Sequence, residues 1–318
     1  MAHQVETMAY AGEVPWHGLG VKVSNDLTPR QMMEKAGLDW EVQKVPTFAR
    51  LGDTEISTGT EALIRTSDNS VLTQVGSGWN PVQNSEAFDF FSEYCLAGDM
   101  EMHTAGSLKN GQIVWALAKI KESFDVLGGD QVDSYLLFSN PHQYGKSIDV
   151  RFTPIRVVCN NTLSLSLGQQ VANSCKVNHR SEFNADRVKE ALGIAHEKFV
   201  KYREVAELLS KKFYTADSLI QYYNEVFPRT YVGKNVKSVQ KVEDLATNAK
   251  KAHEVLHTQP GAEFGEGTWW QALNSVTYMT DHLVGRSADT RMTSAWFGAN
   301  QNRKEKAVNK AVEYALAA

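Results

Sequence analysis

The sequence predicts an α+β protein: an antiparallel sheet with β-hairpins backed by helices, then a mainly helical C-terminal portion. Three observations carry this. Alternating apolar segments separated by turn residues run from Trp40 to Thr153. After Ser181 the apolar spacing changes to steps of three and four, the period of an amphipathic helix. Helix-start signals recur along that later part, at Asn184-Ala185-Asp186, Thr215-Ala216-Asp217 and Thr268. This divides the chain into a sheet domain with an N-terminal arm, 1–180, and a helical domain, 181–318.

The elements follow in order. Residues 1–27 read as irregular, with Gly12, Pro15, Gly18 and Gly20 around Trp16 and His17. Thr28 caps a helix whose first position is Pro29, and Gly37 ends it. Strands are expected over 40–48, 62–66 and 71–75, the last two joined by the turn cluster Ser67-Asp68-Asn69-Ser70. Asn84-Ser85 opens a helix to Ala97, with Phe88, Phe91, Tyr94 and Cys95 on one side. Residues 100–107 and 112–120 form a hairpin about Lys109-Asn110-Gly111, because Asn-Gly readily takes the left-handed backbone of a tight turn. Two further strands, 132–139 and 147–153, are joined by the loop 140–146, and Pro154 is read as the start of a short helix over 155–167. The later helices are expected over 184–213, 215–226, 239–257, 268–283 and 302–316.

Composition narrows the function classes. The 318 residues are 42% hydrophobic and 22% charged, an ordinary globular balance. Three cysteines at 95, 159 and 175 form no paired spacing, so a reducing compartment is expected. No apolar run reaches the roughly 18 residues of a membrane span, and residues 1–13 lack a signal-type apolar core. A cytoplasmic protein without membrane contact is the resulting expectation. The overall charge of −4 gives no sign of nucleic-acid binding. Its distribution allows a local basic surface on the later part: residues 1–100 hold 6 Lys/Arg against 14 Asp/Glu, whereas the remainder holds 27 against 23. An acidic solvated face on the first hundred residues explains the same asymmetry.

Two constellations carry chemistry. Lys119, Lys146, Arg151 and Arg156 lie on successive strands and loops, with Tyr144 among them. Cations that neutralise phosphates, with an aromatic face on which a base can stack, make a single-strand binding platform. Arg151 and Arg156 straddle Pro154, and a helix start there would add unpaired N–H groups. The alternative is a structural role, with Arg156 paired to Asp149 or another carboxylate. The second constellation is His253-Glu254-Val255-Leu256-His257, the His-Glu-x-x-His string of zinc peptidases, where two histidines one helical turn apart ligate zinc. The preceding Lys250-Lys251 point instead to a solvated helix face. The glycine pairs at 18/20, 76/78 and 128/129 do not open a helix after a strand, so no phosphate loop is expected. No cofactor is expected, and the reading favours a binding protein over an enzyme.

Residues 10–20, Tyr-Ala-Gly-Glu-Val-Pro-Trp-His-Gly-Leu-Gly, closely resemble the opening signature of the phage/plasmid-like protein family. The segments 154–163 and 267–277 resemble it too, so the likeness covers nearly the whole chain. That resemblance implies carriage on phages and plasmids and action in the host bacterial cytoplasm, without catalytic residues. The order of hairpins and helix over 100–167 is similar to that of phage single-strand annealing proteins. It implies single-stranded DNA as partner, a homo-oligomer and a role in recombination. The competing expectation is a phage factor that binds a host protein.

Overall fold

The computed structural model describes residues 5–12, 19–156, 161–162, 174–180, 184, 199–231, 234–235, 238–285, 291, 294–296 and 298–317. Trp16 and His17 lie outside them, as do 163–173 and 185–198. The fold is α+β, with strands in the first part and helices concentrated in the last third.

Two compact units are built from interleaved stretches of chain. The first comprises 1–121, 135–152 and 174–193; the second comprises 122–134, 153–173 and 194–318.

The first unit holds β1 (Val5–Ala11), β2 (Val21–Val23), β3 (Val42–Leu51), β4 (Thr54–Arg65), β5 (Ser70–Gly76) and β6 (Met100–Leu108). Strands β7 (Ile113–Asp125), β8 (Gln131–Pro141) and β9 (Ile148–Arg156) continue along the chain from one unit into the other, followed by β10 (Asn161–Thr162) and β11 (Ser174–Val177). The large sheet runs β10-β9-β8-β7-β6-β1-β2, with β11 also on β9. A separate antiparallel sheet runs β3-β4-β5.

The segment 5–11, expected to be irregular, is β1. It pairs antiparallel with β6 and parallel with β2. Its alternation is poor, and what holds it is a partner strand about a hundred residues away, which no local pattern reveals.

Local signals elsewhere act as expected. Thr28 caps α1 (Pro29–Lys35) in a capping box with Gln31. The turn after β6 has Lys109, Asn110 and Gly111 all at positive φ. The helix expected over 84–97 is broken into α2 (Asn84–Asp89) and α3 (Ser92–Ala97), and Gly98 ends α3 in the left-handed conformation. Met32, Trp40, Leu63, Phe88, Phe91, Met102, Leu136 and Phe138 form the core of this unit.

The helix expected over 155–167 does not start at Pro154. Strand β9 runs through Pro154 to Arg156, and Asn161 and Thr162 pair back onto Arg156 and Ile155. Pro154 is tolerated because β11 pairs with residues 148–151 and β10 with 155–156, so proline falls between the two partners and neither requires a ladder donor of it.

The second unit holds α4 (199–211), α5 (Ala216–Val226), α6 (Thr247–Glu254), α7 (Trp269–Tyr278) and α8 (Ala299–Ala317). Its core is aromatic. Trp269 stacks on Tyr314 at 5.1 Å and meets Tyr222 edge-on, and the Trp270 indole donates to Asp130 at 2.7 Å. A buried ion pair joins Lys304 of α8 to Asp281 at 2.8 Å.

Candidate nucleic-acid interface

The exposed tip of the β8–β9 connection is held by a buried polar base. His142 N–H donates to the Gln112 carbonyl at 2.8 Å, and Lys146 N–H closes a turn on the Gln143 carbonyl at 3.3 Å. The Asn84 side-chain amide donates to the Leu38 and Trp40 carbonyls at 3.0 and 3.3 Å, which fixes its oxygen toward His142. The His142 ring must then donate from Nε2, at 3.1 Å. Asn140 donates to the Val82 carbonyl at 2.8 Å. The His179 ring stacks on Trp79 at 4.1 Å and donates from Nδ1 to the Asn80 carbonyl at 3.1 Å.

Both imidazoles are neutral near pH 7. Burial, with a smaller contribution from nearby His179, pushes His142 down to about 3. Burial also lowers His179 against the opposing pull of the Asn80 and Pro141 carbonyls. The base is thus uncharged and hydrogen-bonded through His142 Nε2, Asn140 and His179 Nδ1. Above it, Tyr144 is 65% exposed, and Gly145 and Lys146 are exposed beside it.

The other expected site residues are placed differently. Arg151 turns its Nε and Nη2 onto Asp149, two residues away on the same face of β9. Its side chain is only 12% exposed, so its fork is engaged by a carboxylate rather than open to a phosphate. Asp149, one of the partners foreseen for Arg156, is bonded by Arg151. Arg156 is the last residue of β9, paired with Asn161, and no helix begins there; its side chain lies outside the described residues. Lys119 is half-buried opposite Glu101 on β6. The Tyr144 loop adjoins Gln112, seven residues before Lys119, which is about 23 Å along an extended strand. Tyr144 and Lys146 come together; Lys119 is not with them, and Arg151 is already occupied.

The His-Glu-x-x-His string does not lie on one helix. Helix α6 ends at Glu254, so His257 falls in the turn beyond it, exposed, while His253 is half-buried against the edge of Tyr223. The helix expected over 239–257 is shorter: the 3-10 turn Val242–Asp244 precedes it and turns begin at Val255. Zinc ligation from successive turns of one helix requires a continuity that ends one residue after His253. Among the described residues no group of three or more His, Cys, Asp or Glu side chains is arranged to hold a metal ion.

Sequence reasoning did not find His142, Asn84 and His179, whose roles depend on contacts 58 to 99 residues apart. It also stopped β3 at Phe48. The signal for the longer hairpin was present: Gly52-Asp53 between Leu51 and Thr54 is a two-residue turn, and Gly52 takes φ +61°.

A family pattern described as "Domain of unknown function (DUF932)" matches residues 71–310. The chain belongs to the DUF932 family. The matched span takes in β6 to β9, the Tyr144 loop and almost all of the helical unit. A search of curated proteins and a search of solved structures each return no match. Among the described residues, no helix of this DUF932 protein is long and apolar enough to cross a membrane.

Proposed function

We propose that this DUF932 protein is a non-enzymatic single-stranded DNA-binding and annealing protein of a phage or plasmid, acting in the bacterial cytoplasm. The supporting observation is the Tyr144–Lys146 tip, an exposed aromatic ring two residues from an exposed cation on a neutral, hydrogen-bonded base. The turn that carries Tyr144 is bonded at its foot, the ring itself is open to solvent, and stacking on it tolerates any base. Lys146 supplies a point charge for the neighbouring phosphate. The resemblance of the opening motif to the phage/plasmid-like family gives the context.

The test is affinity for a labelled oligonucleotide. Tyr144→Ala is expected to weaken binding by about 1–3 kcal/mol. Lys146→Ala is expected to weaken it and to reduce its salt dependence. Affinity unchanged in both variants would remove the loop from the interface.

A second reading, a factor that binds a host protein, draws on a different feature. The β3–β4 hairpin exposes Val45, Phe48, Leu51 and Ile56 to solvent.

A further inference from the structure

We infer that His142 and His179 form a transition-metal site at the foot of the Tyr144 turn, taking one zinc or copper ion on their free imidazole nitrogens. The inference is independent of the DNA-binding reading, because its test reads the ion alone. Every residue concerned belongs to the first compact unit.

The segment 80–84, between β5 and the first turn of α2, assembles the site. Three of its residues, at two-residue steps, each hold one buried side chain. The Asn80 carbonyl accepts from His179 Nδ1 at 3.1 Å, the Val82 carbonyl from Asn140 at 2.8 Å, and Asn84 Oδ1 from His142 Nε2 at 3.1 Å. Asn140 and His142 are themselves two residues apart at the end of β8, so their side chains leave the strand on the same side. The His179 ring has the Pro141 carbonyl within hydrogen-bonding reach. The two imidazoles therefore flank one peptide group, that joining Pro141 to His142.

The bonding defines what this place can hold. Each ring is neutral and has given its one N–H to an oxygen, so each keeps one lone pair, on Nδ1 of His142 and on Nε2 of His179. Both nitrogens are buried without a hydrogen-bond partner, and so is Asn140 Oδ1. His142 and Asn140 are fully buried, and His179 is 1% exposed. Buried acceptors without a donor are a cost that folds avoid. Three of them on neighbouring side chains call for a small species that accepts electron pairs.

The oxygens behind the rings favour a metal over water. A metal-binding histidine gives its other N–H to a carbonyl or carboxylate oxygen, which fixes the tautomer and aims the free nitrogen. Both rings have that arrangement, and either imidazole nitrogen serves as a ligand. Trp79 stacks on His179 at 4.1 Å and Trp40 lies 5.5 Å from His142, so apolar walls hold both ring planes. Imidazole nitrogen suits zinc and copper, whereas calcium and magnesium take oxygen ligands. Asn140 Oδ1 is positioned as a third, weaker donor. Among the described residues no carboxylate or thiolate joins the pair to make a set of three. A neutral donor set leaves the charge of the ion uncompensated, so binding is expected to be reversible. The foot must open locally to admit the ion, so exchange is expected to be slow.

The experiment uses the full chain, stripped with a chelator and equilibrated overnight by dialysis against zinc chloride or, under ascorbate, copper. Wild type is expected to bind one equivalent of at least one of the two ions and to unfold at a higher temperature with it. Calcium is expected to do neither. His142→Gln and His179→Gln, checked by circular dichroism, should each lose that equivalent, whereas the exposed-site control His253→Ala with His257→Ala should keep it. If a histidine variant does not fold, the imidazole nitrogen resonances of isotope-labelled wild type decide: the ion should shift His142 Nδ1 and His179 Nε2 together, in one saturating step. Wild type that binds neither ion would overturn the inference and leave the buried acceptors to water. Binding undiminished in both folded histidine variants, loss in the His253/His257 control, equal stabilisation by calcium, or resonances that do not move would each overturn it too.

Discussion

Replacing Arg65 by methionine removes the charge that ties the β3-β4-β5 sheet to the large sheet. Arg65 ends β4 with only 8% of its surface exposed. Its Nη1 donates to both Glu6 oxygens of β1, at 2.7 and 2.9 Å, and its Nε donates to Asp68 Oδ1 at 2.9 Å. The guanidinium also lies 5.6 Å from the centre of the Trp40 ring. Glu6 is largely buried, its side chain 18% exposed, so the variant leaves a carboxylate without its cation. Removing one member of a buried pair costs about 3–5 kcal/mol. Glu6 keeps a bond from the Ser107 hydroxyl at 3.0 Å, which points to the lower end of that range. The Trp40 contact adds about 0.5–1 kcal/mol, and the exposed Asp68 contributes little.

The expected loss for Arg65→Met is therefore about 3–4 kcal/mol, read as a shift in urea midpoint at constant slope. Arg65→Lys keeps the charge but not the planar fork, and should recover only part of the loss. Hydrogen bonds from Arg65, with help from Ser70, hold the Asp68 carboxyl below the usual carboxylate range. A group depressed in the folded state stabilises above its unfolded pKa of 3.8, and that contribution disappears as pH falls below it. Arg65→Met should thus also be less acid-sensitive below pH 4 than wild type. A variant within about 1 kcal/mol of wild type would refute the assignment of Arg65 as the tie between the sheets.

Three further outcomes are expected. Gly106→Ala would place a Cβ 2.3 Å from the Trp115 ring and 2.4 Å from the Thr7 carbonyl, so a loss of about 3 kcal/mol should appear in thermal unfolding; a neutral effect would mean that β1 and Trp115 yield easily. His142 binds a proton more readily unfolded than folded, so wild type should lose stability as pH falls from 6.5 toward about 3. His142→Gln, neutral at every pH, should flatten that part of the curve, and identical curves would remove His142 as its cause. Lys304→Met removes the cation 2.8 Å from buried Asp281 and should cost about 3–5 kcal/mol, whereas adding Asp281→Leu should restore most of it; equal losses in the single and double variants would show that the charges are not coupled.

Local chemistry was legible in the sequence. Thr28-Pro29, Lys109-Asn110-Gly111 and the Ser67–Ser70 cluster act within a few residues, and each is realised in the fold. Features that depend on distant partners were not legible. Strand β1 exists because β6 accepts it. Pro154 has two physically sound roles, first residue of a helix or a strand position between two partners on one edge, and only the placement of β10 and β11 decides between them. The site shows the same limit. Residue types predicted a cationic surface, but the two-residue period of a strand puts Asp149 and Arg151 on one face, and that proximity ties up the cation. Tyr144 and Lys146 lie in a turn and keep the exposure expected of them.

The most direct test of the DNA-binding proposal is a salt titration of wild-type binding to a labelled oligothymidine, followed by fluorescence anisotropy, with a duplex of equal length as control. Binding to the single strand is expected in preference to the duplex, with log affinity falling by about 0.7 per log unit of salt for the one phosphate that Lys146 contacts. No binding by wild-type protein at about 20 mM salt, where phosphate contacts are strongest, would contradict it.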